Sequence, residues 1–218
     1  MLDLSLVRTL EFDDVVCRRM VDVRRPLSFI QVGAFDGQTK DPLYPYIQVH
    51  GWSGVLMEPQ HQAFEVLREL HRGNPRIRIV NAAIGATEGR QTLYRVEGSG
   101  LPDWCGGLAS FDRESIVKHE SLVPGLSRCI VAEEVPTVSF SKLLEDTGVR
   151  EIDLFQLDTE GADALILGWF PFERIRPAIV HFETKHLRKP ELEDCLERLK
   201  GFGYRFAASG GEDLLAVL

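Results

Sequence analysis

Short apolar runs alternate along this chain with longer stretches in which apolar residues recur every three or four positions. Leu27 to Val32, Trp52 to Met57, Ile77 to Val80, Ile152 to Leu157 and Ala178 to Phe182 are runs of four to six residues rich in large apolar and β-branched side chains. That length and composition predict buried strands. The helical period appears in Gln60 to His71, where Phe64, Leu67 and Leu70 share a face and Gly73-Asn74-Pro75 stops the pattern. It also appears in Ala162 to Trp169, in Glu191 to Lys200, and in Lys142 to Asp146 with Ser139 as the cap. Residues 3–23 carry Leu4, Val7, Leu10, Val15, Val16 and Met20 among charges and predict one or two amphipathic helices. Leu43 to Val49 is a further helical candidate, with Pro45 obscuring where it begins.

The regular alternation loosens in the middle. Gln91 to Val96 predicts an extra strand, and Ile130 to Val138 an extended segment. Between them, residues 97–128 mix glycine, proline and polar residues around a possible helix at Arg113 to His119. At the end, Tyr204–Ala208 and Leu214–Leu218 flank the glycine-containing stretch 209–213 and predict a hairpin. Strands alternating with helices give an α/β fold, a doubly wound and mostly parallel sheet covered on both faces. The expected organisation is one domain over residues 1–218, with an irregular substrate-side insertion at 97–128.

Composition narrows the function classes. With 44% hydrophobic and 27% charged residues the chain is neither disordered nor fibrous. Its formal net charge of −8 argues against a nucleic-acid partner, because neutralising phosphates requires a basic face. Cys17, Cys105, Cys129 and Cys195 form no C-x-x-C pair, which favours reduced thiols over zinc or a disulfide framework. No apolar run approaches the roughly 20 residues of a membrane span, so no integral membrane contact is expected. The first residues lack the basic start and apolar stretch of a signal peptide, so the expected compartment is the cytoplasm.

Candidate chemistry collects where the strands end. The first strand leads into Gln31-Val32-Gly33-Ala34-Phe35-Asp36-Gly37. A dinucleotide fingerprint from Gly33 needs glycines at 35 and 38, where Phe35 and Gln38 stand. What remains is a turn whose backbone can approach a ligand without a Cβ in the way. Glu58 closes the second strand, where a carboxylate can accept from ribose hydroxyls. Asn81-Ala82-Ala83-Ile84-Gly85 leaves the third strand with small residues able to bracket an adenine ring. The strand beginning at Ile152 emerges into Asp158-Thr159-Glu160-Gly161, two acids that need solvent or partners.

Taken together, Val32-Gly33-Ala34 with Gly37, Met57-Glu58-Pro59, Asn81-Ala82-Ala83-Ile84-Gly85, Val135-Pro136-Thr137, and Ile152-Asp153-Leu154 with Asp158-Thr159-Glu160-Gly161 resemble the FkbM family of methyltransferases. The likeness runs from about Leu27 to His186. It implies a class I methyltransferase (Rossmann-like) fold with a C-terminal antiparallel hairpin and S-adenosylmethionine as donor. The implied reaction is O-methylation of a hydroxyl on a small molecule, sugar or lipid. Gly33, Ala34, Phe35, Gly37, Glu58, Ala83 and Asp158 are then the donor-binding candidates. One departure stands out: Gln31 occupies a position where many class I methyltransferases carry an acid.

A hydroxyl nucleophile must lose its proton to a base or a metal. The candidates are Asp158, Glu160, Glu183 and His186, the last having a suitable ordinary pKa. His181 shares a strand face with Glu183 and is either a core histidine bonded to a neighbour or part of the site. No dedicated metal site is expected, although Asp158 and Glu183, on adjacent strands, permit Mg²⁺ through oxygen ligands. Trp104 and Phe111 either line an acceptor pocket or pack the insertion. Two other function classes remain on this reading: a catalytically silent adenosylmethionine-binding protein and a nicotinamide-dependent oxidoreductase.

Overall fold

The structure is a computed structural model and describes residues 9–218. Seven strands form the central sheet: β1 (Ser28–Val32), β2 (Ser53–Met57), β3 (Ile77–Val80), β8 (Leu154–Leu157), β9 (Ile179–Glu183), β10 (Arg205–Ser209) and β11 (Asp213–Val217). Their order is β10-β11-β9-β8-β1-β2-β3. β11 alone runs against its neighbours, pairing antiparallel with both β9 and β10. The hairpin is therefore present, and its second strand is inserted into the sheet beside β9 instead of ending it. Strand order reverses between β1 and β8, so the chain leaves neighbouring strands in opposite directions there and opens a crevice at their carboxyl ends.

Strand alternation sorts the core onto two faces. Ile30, Val32, Val55, Met57, Phe155, Leu157, Val180 and Phe182 point to one face. There they meet Leu143 and Leu144 of α5 (Phe140–Thr147), Ile166 and Leu167 of α6 (Asp163–Trp169), and Cys195, Leu196 and Leu199 of α7 (Lys189–Gly201). Phe29, Leu56, Leu154 and Ile179 point to the other. They pack on Phe12 and Val16 of α1 (Phe12–Val23), Tyr46 and Ile47 of α2 (Tyr44–His50), and Leu67 of α3 (His61–Leu70). Of the predicted helical stretch 3–23, residues 12–23 are α1, and 1–8 lie outside the described residues. Pro45 falls in the first turn of α2, where its missing amide proton has no helical partner to lose. Ser139 caps α5 as expected, its hydroxyl accepting from the Lys142 amide at 3.2 Å.

At the opposite end of the sheet Asp153 pins α1 down. Its buried carboxylate accepts from Arg19, from Arg25 at 2.6 Å and from the Ser28 amide and hydroxyl. This acid, part of the motif read from sequence, is thus structural and far from the strand ends that matter below.

The middle of the chain is more ordered than its composition suggests. β5 (Gly89–Val96) and β7 (Ile130–Val138) form a long antiparallel ladder. With β4 (Ala83–Ile84) and β6 (Ala109–Ser110) they build a second sheet, β4-β7-β5-β6. Residues between β5 and β7 hold a short helix α4 (Arg113–Val117) and a small core of Val96, Cys105, Leu108, Ile116, Val123 and Leu126. All four cysteines are free thiols. Among the described residues no helix is long and apolar enough to cross a membrane.

Candidate active site

A cavity of about 450 Å³ lies across the carboxyl ends of β1, β2 and β8, under the second sheet. Its floor is the turn after β1. The amides of Gly33 and Ala34 both donate to the Met57 carbonyl at 3.0 Å, locking the turn to the end of β2. Gly33 has φ +83°, and a Cβ there would fall 1.8 Å from the Asp158 carbonyl oxygen. No side chain fits, so glycine here lets the exits of β1 and β8 touch. Phe35 takes φ +46°, and Asp36 holds the next turn by accepting from the amides of Gln38 (2.9 Å) and Thr39 (2.7 Å).

Glu58 is buried at the end of β2. One carboxylate oxygen accepts from the Phe35 amide at 2.8 Å and the other from the Gln60 amide at 2.7 Å. Burial nevertheless pushes its pKa up to about 7 against those two bonds. Each carboxylate oxygen has a second lone pair, so Glu58 can still accept from a ligand in the cavity it lines. Asn81 steadies the loop beyond, donating to the carbonyls of Glu58 (2.9 Å) and Pro59 (3.1 Å). Ala83 and Ile84 form β4 and line the same cavity, as do Trp104 and Phe111 from the insertion.

Gln31, the departure noted in the sequence, is buried and donates to Asp41 Oδ1 at 3.3 Å. Asp41 also accepts from the Leu43 amide, and its other oxygen is buried without a partner among the described residues. Burial raises the Asp41 pKa. A carboxylate is therefore present beside Gln31, delivered by the loop ten residues downstream, and sequence spacing gave no sign of it. Gln31, Gln156 and His181 occupy paired positions on β1, β8 and β9 and form a buried polar row across the sheet. His181 is bonded to Gln156 at 2.8 Å, which was one of its two sequence readings.

The second group lies beyond β8. Asp158 lines the cavity, and its pKa is raised to about 7 by burial, then by the charges of Asp163, Glu160 and Asp213, with His186 opposing. Glu160 sits in the left-handed region at φ +51° and lines the cavity too. Its carboxylate is 2.9 Å from His186 Nε2, whose pKa rises chiefly through that contact. Glu183 Oε2 is 3.6 Å from the same nitrogen, and burial followed by its acidic neighbours raises the Glu183 pKa. Glu183 and His186 stand behind Glu160 and are not among the residues lining the cavity.

Sequence reasoning passed over Asp163. It is buried in the first turn of α6 and accepts from the Thr159 amide (3.2 Å) and hydroxyl (2.5 Å), which shapes the Asp158–Gly161 loop. Glu160, Glu183 and His186 each offer one ligand atom within 4.8 Å of the others, so this trio could hold a divalent ion. The pair considered from sequence was Asp158 with Glu183, and Asp158 is not in that trio.

A doubly wound sheet with an inserted antiparallel strand and a glycine-turn cavity at its switch point is the class I methyltransferase fold. The profile of the methyltransferase FkbM domain matches residues 31–206, and the chain belongs to that family. Among solved structures it is similar to an FkbM methyltransferase from Methylobacillus flagellatus. That likeness has TM-score 0.56 and 13% identity, covering 88% of this chain and 44% of that one. A precorrin-6y C5,15-methyltransferase from Geobacter metallireducens gives TM-score 0.45 and 10% identity over 100% of this chain and 98% of the other. Aeropyrum pernix fibrillarin with natively bound S-adenosyl-L-methionine gives TM-score 0.45 and 11% identity over 88% and 67%. No curated protein matches the chain. Family membership sets aside the nicotinamide-dependent reading.

Proposed function

We propose that this protein transfers a methyl group from S-adenosylmethionine to a hydroxyl oxygen of a small-molecule, sugar or lipid acceptor. The observation that carries this reading is Asp158, whose carboxylate is open to the cavity at the switch point of the sheet, with the surrounding protein and then the neighbouring acids pushing its pKa up to about 7. A base with that value can take a hydroxyl proton near neutral pH.

The residues around the cavity suit the donor. The Gly33 turn leaves room where a Cβ would collide. Glu58 has lone pairs for ribose hydroxyls, and Ala83 and Ile84 supply a flat apolar wall for a base. The unpartnered, buried oxygen of Asp41 suits the donor's ammonium, a role for which Gln31 has no charge. When bound, the donor supplies a methyl carbon already activated by its sulfonium. Positioning can then account for several kcal/mol of the barrier. Asp158 accepts the acceptor's hydroxyl proton. Glu160, fixed by its contact with His186, holds the far side of the same loop.

The test is transfer of a labelled methyl group from S-adenosylmethionine to a panel of hydroxylated acceptors, with the product's new bond located by mass spectrometry and NMR. An O-methyl product whose formation fails in Asp158→Asn supports the reading. Methyl appearing on nitrogen or carbon overturns the O-methylation, and donor binding with no transfer to any acceptor favours the silent binding protein.

A further inference from the structure

A second cavity, of about 280 Å³, opens at the same sheet edge on the α1 side. Gln156, Asp158, Lys40 and Pro42 line both cavities, so the end of β8 is a shared wall. The rest of the smaller cavity includes Glu11, Asp13, His181 and Asp213. His181 is 4% exposed. Its Nδ1 lies 2.8 Å from Gln156 Oε1, an atom that only accepts, so Nδ1 carries the ring proton. The ring is buried with no anion within hydrogen-bond distance among the described residues, an environment that suits the neutral imidazole. Nε2 is therefore a bare acceptor, buried and without a hydrogen-bond partner among the described residues. Asp213 Oδ2, 3.6 Å away, lies beyond hydrogen-bond reach and does not satisfy it. A buried acceptor of this kind calls for a donor that the described residues do not supply.

The walls around Nε2 say what that donor can be. Four carboxylates, those of Glu11, Asp13, Asp158 and Asp213, face one cation, Lys40. Phosphates and carboxylates are repelled, whereas hydroxyl and ammonium groups have acceptors on several sides. We propose that the smaller cavity binds the methyl acceptor, a hydroxyl-rich ring without negative charge (a polyol or amino-polyol), one of whose O–H groups donates to His181 Nε2. The shared wall then places another of its hydroxyls beside Asp158, between acceptor and donor. This inference rests on the larger cavity being the donor site.

The experiment follows the imidazole nitrogens of His181 by two-dimensional ¹H–¹⁵N NMR on the whole chain with adenosylhomocysteine present. A neutral methyl glycoside, an aminocyclitol and a sugar phosphate are added in turn. The expected result is a saturable shift of the His181 Nε2 resonance with the aminocyclitol, with or without the glycoside, and none with the sugar phosphate. His181→Phe should weaken aminocyclitol binding at least tenfold. Should that variant fail to fold, Asp213→Asn, at the half-exposed rim, must weaken it instead. No shift with the aminocyclitol, or a shift with the sugar phosphate, overturns the proposal. Failure of adenosylhomocysteine itself to bind, read by calorimetry on the same sample, overturns the donor-site reading on which it rests.

Discussion

At the ends of β1 and β2 the acids are held by backbone: Glu58 by the amides of Phe35 and Gln60, and Asp36 by those of Gln38 and Thr39. At the ends of β8, β9 and β11 the acids face one another instead. Asp158, Glu183 and Asp213 are all pushed toward the protonated form by burial, and acidic neighbours push the same way. The first arrangement fixes a shape and suits a ligand that is the same at every turnover. The second stores unsatisfied acceptors and proton-ready carboxyls, which suits a ligand that must give up a proton. On the proposed assignment, the donor side and the acceptor side meet where the turn at Gly33 closes on the Asp158 carbonyl.

That contrast predicts which changes break shape and which break chemistry. The largest effect on turnover belongs to Asp158→Asn. It should slow single-turnover transfer by ~10²–10⁴, as for loss of a positioned base, while calorimetry finds donor affinity close to wild type. Loss of donor binding in this variant would erase the division between the two sides. In the unaltered protein kcat/KM should rise as pH passes about 7 and Asp158 ionises.

Gly33→Ala should damage shape. Left-handed backbone and the overlap with Asp158 together cost about 3 kcal/mol, visible as a lowered Tm in thermal denaturation with donor binding weakened in parallel. Glu58→Ala removes both amide contacts and a ribose acceptor, and should cost about 1–3 kcal/mol of adenosylhomocysteine affinity by calorimetry.

The smallest effect is on stability against pH. Glu58 and Asp158 have folded pKa values raised to about 7, and Asp163 to about 6. Between the ordinary carboxylate value and those values, the folded state binds more protons than the unfolded state. Its stability therefore falls as pH rises through that window, and Glu183, raised to about 8, extends the fall to about that pH. His181, lowered to about 4, and His71, also lowered by burial, oppose this below the ordinary imidazole value. Tm measured across this range should decline toward neutrality, and Asp158→Asn should flatten part of the slope. A Tm rising steadily from pH 5 to pH 7 would contradict the burial of these acids.

Much of the architecture was legible in the chain. Apolar runs located the central strands to within two residues, because a buried parallel strand requires apolar side chains on both faces. The glycine turn, Glu58 and the Asp158–Gly161 loop were legible as well. Their positions after strands in a doubly wound fold fix which edge they occupy, whatever the details of packing. Gln91–Val96 and Ile130–Val138 each read as extended, but their pairing into one ladder was not legible, because it joins residues far apart in sequence. Local pattern carries no information about such a partner.

The environment of the acids around the cavities depended still more on tertiary contact. Asp41 reaches Gln31 because a loop folds back over β1, and Asp213 approaches His181 because β11 is inserted beside β9. The raised pKa values of Asp158 and Glu183 arise from burial and from charges brought together by three separate segments of backbone. The sequence by itself determined which elements form and which acids stand at their ends, since both follow from local periodicity and strand direction. Only the tertiary structure decided which acids are partnered, which are crowded and which cavity each one lines, because electrostatic environment depends on distance in space and not on distance along the chain.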